Sequence, residues 1–275
     1  MRRSAADPAS HATDRRALMP FILPLDDDNP RIRLPHPWVN WTLIGLCFAV
    51  FLVQVVSPPT VEFNLIKTFG AIPRLVVGGP FESFTSIGMP AIASIVTYAF
   101  LHGDIIHLLL NMLVLWVYGD NVEDSMGHTN YLIFYAICGI LAVFSQILIN
   151  PSSTSPIIGA SGAIAGVMGA YFVLYPKARL LVPIFIFPVY LPAYLVLSFW
   201  MLFQILAAFQ ADSAVAGVAW WAHIGGFVAG AVLIKFFRHK VHFDVAPHEL
   251  PKGIEINSFS RDRNPKRARS RQDES

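Results

Sequence analysis

Between residues 38 and 237 the chain alternates long apolar runs with short polar or proline-bearing breaks. A helix needs about 20 apolar residues to cross a hydrocarbon core of about 30 Å. Six stretches are candidates: 38–56, stopped by Pro58 and Pro59; 104–118, approached by an apolar segment from Ile92; 131–149, stopped by Asn150 and Pro151; 159–175, stopped by Pro176; part of 180–209; and 218–237. The fifth is interrupted by Pro183, Pro188 and Pro192. Interior proline breaks or kinks a helix, whereas proline at a helix start is tolerated. The pattern therefore predicts an irregular or membrane-surface approach over 180–191 and a helix over 192–209.

Composition agrees with this pattern. The chain is 55% hydrophobic and only 14% charged, with a mean hydropathy of +0.53. Soluble domains carry about 25% charged residues. Six of the 20 Lys and Arg lie in residues 1–33 and ten in 235–271, leaving Lys67, Arg74, Lys177 and Arg179 between. This excludes a soluble α/β enzyme, a disordered chain and a nucleic-acid-binding domain. The predicted fold is an all-α polytopic membrane protein with a six-transmembrane-helix bundle. Cys47 and Cys138 sit inside apolar runs and read as small buried hydrophobes, not as a disulfide or metal site.

Loop charge orients the bundle. Six spans put both termini on one side. That side collects Arg31 and Arg33, Lys177 and Arg179, and Lys235, Arg238 and Lys240. The positive-inside rule makes it the cytoplasm. The segment 120–128, read as a loop on that side, is acidic and lacks Lys and Arg, which is discordant but weighs little in the rule. No apolar stretch follows Arg2 and Arg3 until Trp38, so a signal peptide is rejected. The chain divides into an N-terminal cytoplasmic arm over 1–37, a membrane domain over 38–238, and a basic, disordered cytoplasmic tail over 239–275 that touches anionic lipid. Six spans without a presequence-like amphipathic helix favour a bacterial inner membrane.

Within so apolar a region, polar side chains carry information, because an ionisable group inside a span marks function by default. His107 and Asn111 lie one and two turns into the second span, Ser161 near the start of the fourth, and His223 about a turn and a half into the sixth. All four reach similar depths from the same face. His107 and Asn111, four residues apart, share one helix face. Gly159, Gly162, Gly166 and Gly169 surround or follow Ser161, and Gly226 and Gly230 follow His223; small residues at this spacing let helices approach closely. If those two faces meet, Ser161 comes within reach of His223, and a serine beside a neutral histidine can act as a nucleophile. The alternatives are interhelical hydrogen bonding for His107 and Asn111, packing for the glycines, and a self-bonded hydroxyl for Ser161. Gly159 to Ala163 does not meet the soluble G-x-S-x-G elbow. No span supplies an Asp or Glu to orient His223, so a Ser–His dyad is readable and a triad is not.

These residues resemble the rhomboid family of intramembrane serine proteases, over roughly residues 24–238. Gly159-Ala160-Ser161-Gly162 is similar to that family's nucleophile motif. Ala222-His223-Ile224-Gly225-Gly226, with Gly230, is similar to its last-helix motif, and His107 to Asn111 to its H-x-x-x-N motif. The segment 25–30, Phe69 to Pro73 and the proline-rich run before span five look like a bacterial subgroup. The resemblance implies that Ser161 is the nucleophile and His223 the base. His107, Asn111 and the Ser161 backbone would bind the oxyanion. His102, Gly159, Gly162 and Gly226 would support the site, and Glu123 would make a structural contact. It departs from some bacterial members in lacking a Trp-Arg pair between 58 and 92. The implied reaction is hydrolysis of a peptide bond in or near the transmembrane segment of a membrane-protein substrate, without metal or organic cofactor and without nucleic acid. The lipid bilayer is the other implied partner. Span five, with Phe199, Trp200 and Phe203, and the first outer loop are the candidate substrate gates. Two other functions compete: a catalytically inactive rhomboid-like factor that binds membrane proteins, and a proton-relay transporter. The first is disfavoured by the presence of both Ser161 and His223. The second is disfavoured by the absence of intramembrane carboxylate partners and of paired broken helices.

Overall fold

A computed structural model describes residues 23–79, 88–184, 187–210 and 218–239. The basic tail beyond 239 and the middle of the first outer loop lie outside the described residues. The long helices are α1 (Trp38–Val56), α5 (Ile105–Met126), α6 (His128–Ile149), α8 (Ala193–Gln210) and α9 (Trp220–Phe237), each long and apolar enough to cross a membrane. Between α1 and α5 lie three short helices, α2 (Pro59–Phe69), α3 (Pro73–Val77) and α4 (Ser94–Thr97), the last flanked by 3₁₀ turns. The fourth span is α7 (Ser161–Leu174), with only 14 residues, or about 21 Å at 1.5 Å per residue.

Helix α7 is the axis of the bundle. It is apolar on every side, and residues from Gly162 to Tyr171 are all buried. A helix apolar all round belongs in a core. It packs against α5, α6, α8 and α9, and most closely against α9. A Cβ placed on Gly226 would stand 2.1 Å from the Gly162 carbonyl oxygen, and one on Gly230 1.8 Å from that of Gly166. Only glycine permits backbones this close.

Three features differ from the sequence expectation. First, residues 120–126 are not a loop. They form the last two turns of α5, and Gly127, at φ +84°, alone joins it to α6. The acidic residues are turned inward to bind the N-terminal arm. Asp124 accepts from the backbone N–H groups of Ile32 at 2.9 Å, Arg33 at 2.8 Å and Leu34. Glu123 accepts from Val39 at 3.1 Å and Asn40 at 2.8 Å, filling the free donors at the start of α1. These carboxylates are thus answered by backbone N–H groups of the arm and of α1. Second, residues 179–184 and 187–192 are paired antiparallel strands, β2 (Arg179–Ile184) and β3 (Phe187–Pro192), to which β1 (Asp26–Asp27) adds a third strand in the order β1-β2-β3. Leu180 and Val182 alternate inward, the period of a half-buried strand. The fold is therefore mostly helical with a small sheet. Third, Pro192 closes β3, and helix α8 begins one residue later.

Two outcomes follow. Gly230→Ala pushes α9 off α7 and lowers the thermal unfolding midpoint in detergent, with a loss of about 1–3 kcal/mol; an unchanged midpoint would contradict this packing. Asp27 accepts hydrogen bonds from the Tyr171 hydroxyl and, at 3.0 Å, from Asn121. Burial nevertheless pushes its carboxyl up to about 7, with Asp120 adding to the effect and the Tyr171 bond opposing it. Its unfolded value is about 3.9. Between these values the folded state binds a proton that the unfolded state has released, so this contribution is full below about pH 4 and is lost as pH rises through 7. Asp27→Asn therefore gives a flatter dependence of the unfolding midpoint on pH over this window than the wild type, measured by thermal melts in detergent.

Candidate active site

Ser161 is the first residue of α7. The turn before it needs Gly159, whose φ is +114° and whose missing Cβ leaves room for the His107 ring, 2.8 Å from where that atom would stand. The Gly159 N–H donates to the Tyr98 carbonyl at 3.0 Å, and Ile157 pairs with Ala71 of the first outer loop. The approach to Ser161 is thus pinned by two neighbouring segments. No side chain caps the start of α7, so its first backbone N–H groups are free and its dipole favours negative charge at Ser161.

His223 stands on the first turn of α9. Helix α6 fixes that turn: Ser145 donates to the Trp221 carbonyl at 2.7 Å, and the Gln146 side chain accepts from the Trp221 N–H at 3.1 Å. Across the glycine seam, His223 Nε2 lies 2.8 Å from Ser161 Oγ. His223 Nδ1 lies 2.8 Å from Oε1 of Gln204 on α8. Trp200 and Trp220 flank the ring, with centroids 6.0 Å and 6.2 Å away.

The start of α5 supplies the remaining polar groups. Asp104 caps it, accepting from the His107 N–H at 2.8 Å. His107 and Asn111 face Gly159 together, and the Asn111 side-chain nitrogen is buried without a hydrogen-bond partner. A buried amide left unpaired calls for an explanation, and an anionic oxygen arriving beside Ser161 would supply one. His102 lies behind this pair rather than on the cavity wall. Its ring meets that of His107 edge-on at 5.3 Å. Its backbone is clamped on both sides by Gln54 of α1, at 3.0 Å and 3.1 Å. Burial holds the His102 ring at about 4, well below the usual histidine range, and His107 adds to the depression. Gly162 and Gly226 lie at the α7–α9 contact and touch no polar atom of the site through a side chain.

Ser161, His223, His107, Asn111 and Gln204 line a cavity of about 800 Å³. It runs from Ser161, His223 and Asn111 along α5 and α8 to Leu23 and Pro24 of the N-terminal arm, and Phe199, Trp200 and Phe203 form part of its wall. The arrangement pairs a hydroxyl with a histidine acceptor and sets amide donors and a helix N-terminus around one point, which suits acyl transfer.

The sequence pattern missed Gln54, Ser145, Gln146 and Gln204. The signal was available. Each is a neutral polar side chain inside an apolar span, where an unpaired amide or hydroxyl is costly.

Comparison with known proteins agrees with the architecture. The rhomboid domain matches residues 90–240. Rhomboid protein 1, mitochondrial, of Saccharomyces cerevisiae is 34% identical over 148 residues, covering 50% of this chain and 40% of that protein. RHOMBOID-like protein 12, mitochondrial, of Arabidopsis thaliana is 30% identical over 211 residues, covering 71% and 60%. Rhomboid protease GluP of Bacillus subtilis is 28% identical over 135 residues, covering 49% and 24%. The chain spans less than two thirds of the length of each of these relatives. Two of the three are mitochondrial by name, so the expectation of a bacterial inner membrane finds no support in them. Among the described residues, five helices able to span a membrane make this a multi-pass membrane protein, and a match over more than half of its length makes it a member of the rhomboid family.

Proposed function

We propose that the protein is an intramembrane serine endopeptidase that cleaves membrane-protein substrates in or near their transmembrane segments. The observation that carries this reading is the 2.8 Å approach of His223 Nε2 to Ser161 Oγ beside an unpartnered Asn111 amide. Ser161 Oγ attacks the scissile carbonyl carbon as its proton passes to His223 Nε2. The oxyanion is bound by the Ser161 backbone N–H and by side-chain donors of His107 and Asn111. The tetrahedral intermediate then collapses, and His223 returns the proton to the departing amine. Water, deprotonated by His223, hydrolyses the acyl-enzyme and restores Ser161.

The cavity extends from Ser161 as far as Leu23 and Pro24 of the N-terminal arm, and the cationic ends of the chain support an outer-compartment location for its Ser161 end. Water reaches Ser161 there, since polar groups at membrane depth are tolerated around such cavities. A helical substrate hides its peptide bonds in its own ladder and must unwind to react. Helix-weakening Gly or Pro near the cut and a small residue before it suit this need. The exposed Phe199 and the partly exposed Trp200 and Phe203 support α8, a candidate gate alongside the first outer loop, as the side from which substrate approaches.

The test is cleavage of a tagged single-span substrate by the purified protein in detergent. Wild type cleaves; Ser161→Ala and His223→Ala, folded by thermal melt, do not. Cleavage by Ser161→Ala at the wild-type rate would sink the proposal. Absence of cleavage by the wild type across a varied panel would favour a membrane-protein-binding role. Asn111→Ala lowers kcat about a hundredfold with little change in KM, as expected for a donor used in the transition state; a change confined to KM would remove Asn111 from the oxyanion site.

A further inference from the structure

The geometry points to Gln204 as the positioning residue that gives His223 the tautomer and ring angle required by Ser161. This inference rests on the proposed protease reading. A neutral imidazole carries one N–H and one bare nitrogen. To take the Ser161 proton, His223 must present bare Nε2, so its hydrogen must sit on Nδ1. The atom facing Nδ1 at 2.8 Å is Gln204 Oε1, which accepts and cannot donate. An amide nitrogen in that position would instead select the Nε2–H tautomer, and the dyad would be blocked. The bond is sheltered, because Gln204 is only 4% exposed. Trp200, one turn before Gln204 on α8, lies against the same ring, so two residues at i and i+4 limit its rotation together.

The choice of an amide has a physical reason. A carboxylate would orient the ring equally well but would place a charge within a membrane helix, which is costly. Gln204 supplies the orienting acceptor alone. The acceptor also comes from α8, outside the α7–α9 seam that carries the dyad.

The test uses the full-length protein with ¹⁵N-labelled histidine in detergent, alongside Gln204→Leu, Gln204→Met and Gln204→Glu. Met fills nearly the same volume should Leu fail to fold. The His223 ring signals are assigned by their absence in His223→Asn. In wild type and Gln204→Glu the proton resides on Nδ1. In Gln204→Leu and Gln204→Met the population moves toward Nε2–H, and kcat for the tagged substrate falls about tenfold with KM unchanged, the loss expected of one hydrogen bond. Gln204→Glu, which keeps an oxygen acceptor, restores kcat to within about threefold. An unchanged His223 tautomer in the apolar variants overturns the inference, as does kcat within twofold of wild type. So does a Glu variant as impaired as Leu, which would signify packing alone. If no form cleaves substrate, the protease reading fails, and the ring spectra still decide the role of Gln204.

Discussion

Everything at the candidate site depends on how closely α7 and α9 can approach. The two helices meet backbone to backbone, with Gly162 and Gly166 against Gly226 and Gly230. In a bilayer no hydrophobic force draws helices together, because lipid is as apolar as the side chains it would replace. Association relies on packing and on interhelical hydrogen bonds. Glycine at successive turns lets extended lengths of backbone come into contact, and that contact fixes the separation of everything mounted on the two helices. Ser161 and His223 sit at the same end of the seam, so the seam sets their distance.

The neighbouring helices remove the remaining freedom. Ser145 and Gln146 on α6 satisfy the first-turn carbonyl and N–H of α9, so the turn bearing His223 cannot fray. Gln54 on α1 holds the backbone before α5 and hence the level at which His107 enters. Gln204 on α8 meets the far nitrogen of His223. Each is an uncharged amide or hydroxyl paired within the protein, the form in which polarity is tolerated at this depth. At the opposite end the carboxylates of Glu123 and Asp124 gather the backbone of the N-terminal arm and the first turn of α1. The bundle is thus closed by polar contacts at both ends and by apolar and glycine packing between.

Much of this was legible in the linear pattern. Spans one, four, five and six were located within two residues at both ends, because hydropathy and proline stops act locally. The common depth of His107, Asn111, Ser161 and His223 was legible too, since span direction and helical rise set it. The acidic stretch 120–126 was misread because its residue types suit a loop, and only the arm folding back on it gives those charges backbone donors. The paired strands 179–184 and 187–192 were missed for a different reason. Three prolines forbid a helix there but do not select the alternative, and strand pairing is a contact between distant residues, as Asp26 with Leu181 shows.

The sequence by itself determined the membrane class, the positions of most of the long apolar helices, and the candidate residues, because each follows from local composition and from the fixed geometry of a helix. Tertiary structure alone decided which faces meet. It put Nε2 of His223 on Ser161 and Nδ1 on Gln204, left Asn111 without a partner beside Gly159, and turned an acidic loop into a clasp. Those outcomes depend on separations between helices far apart in the chain, and no local periodicity encodes such distances.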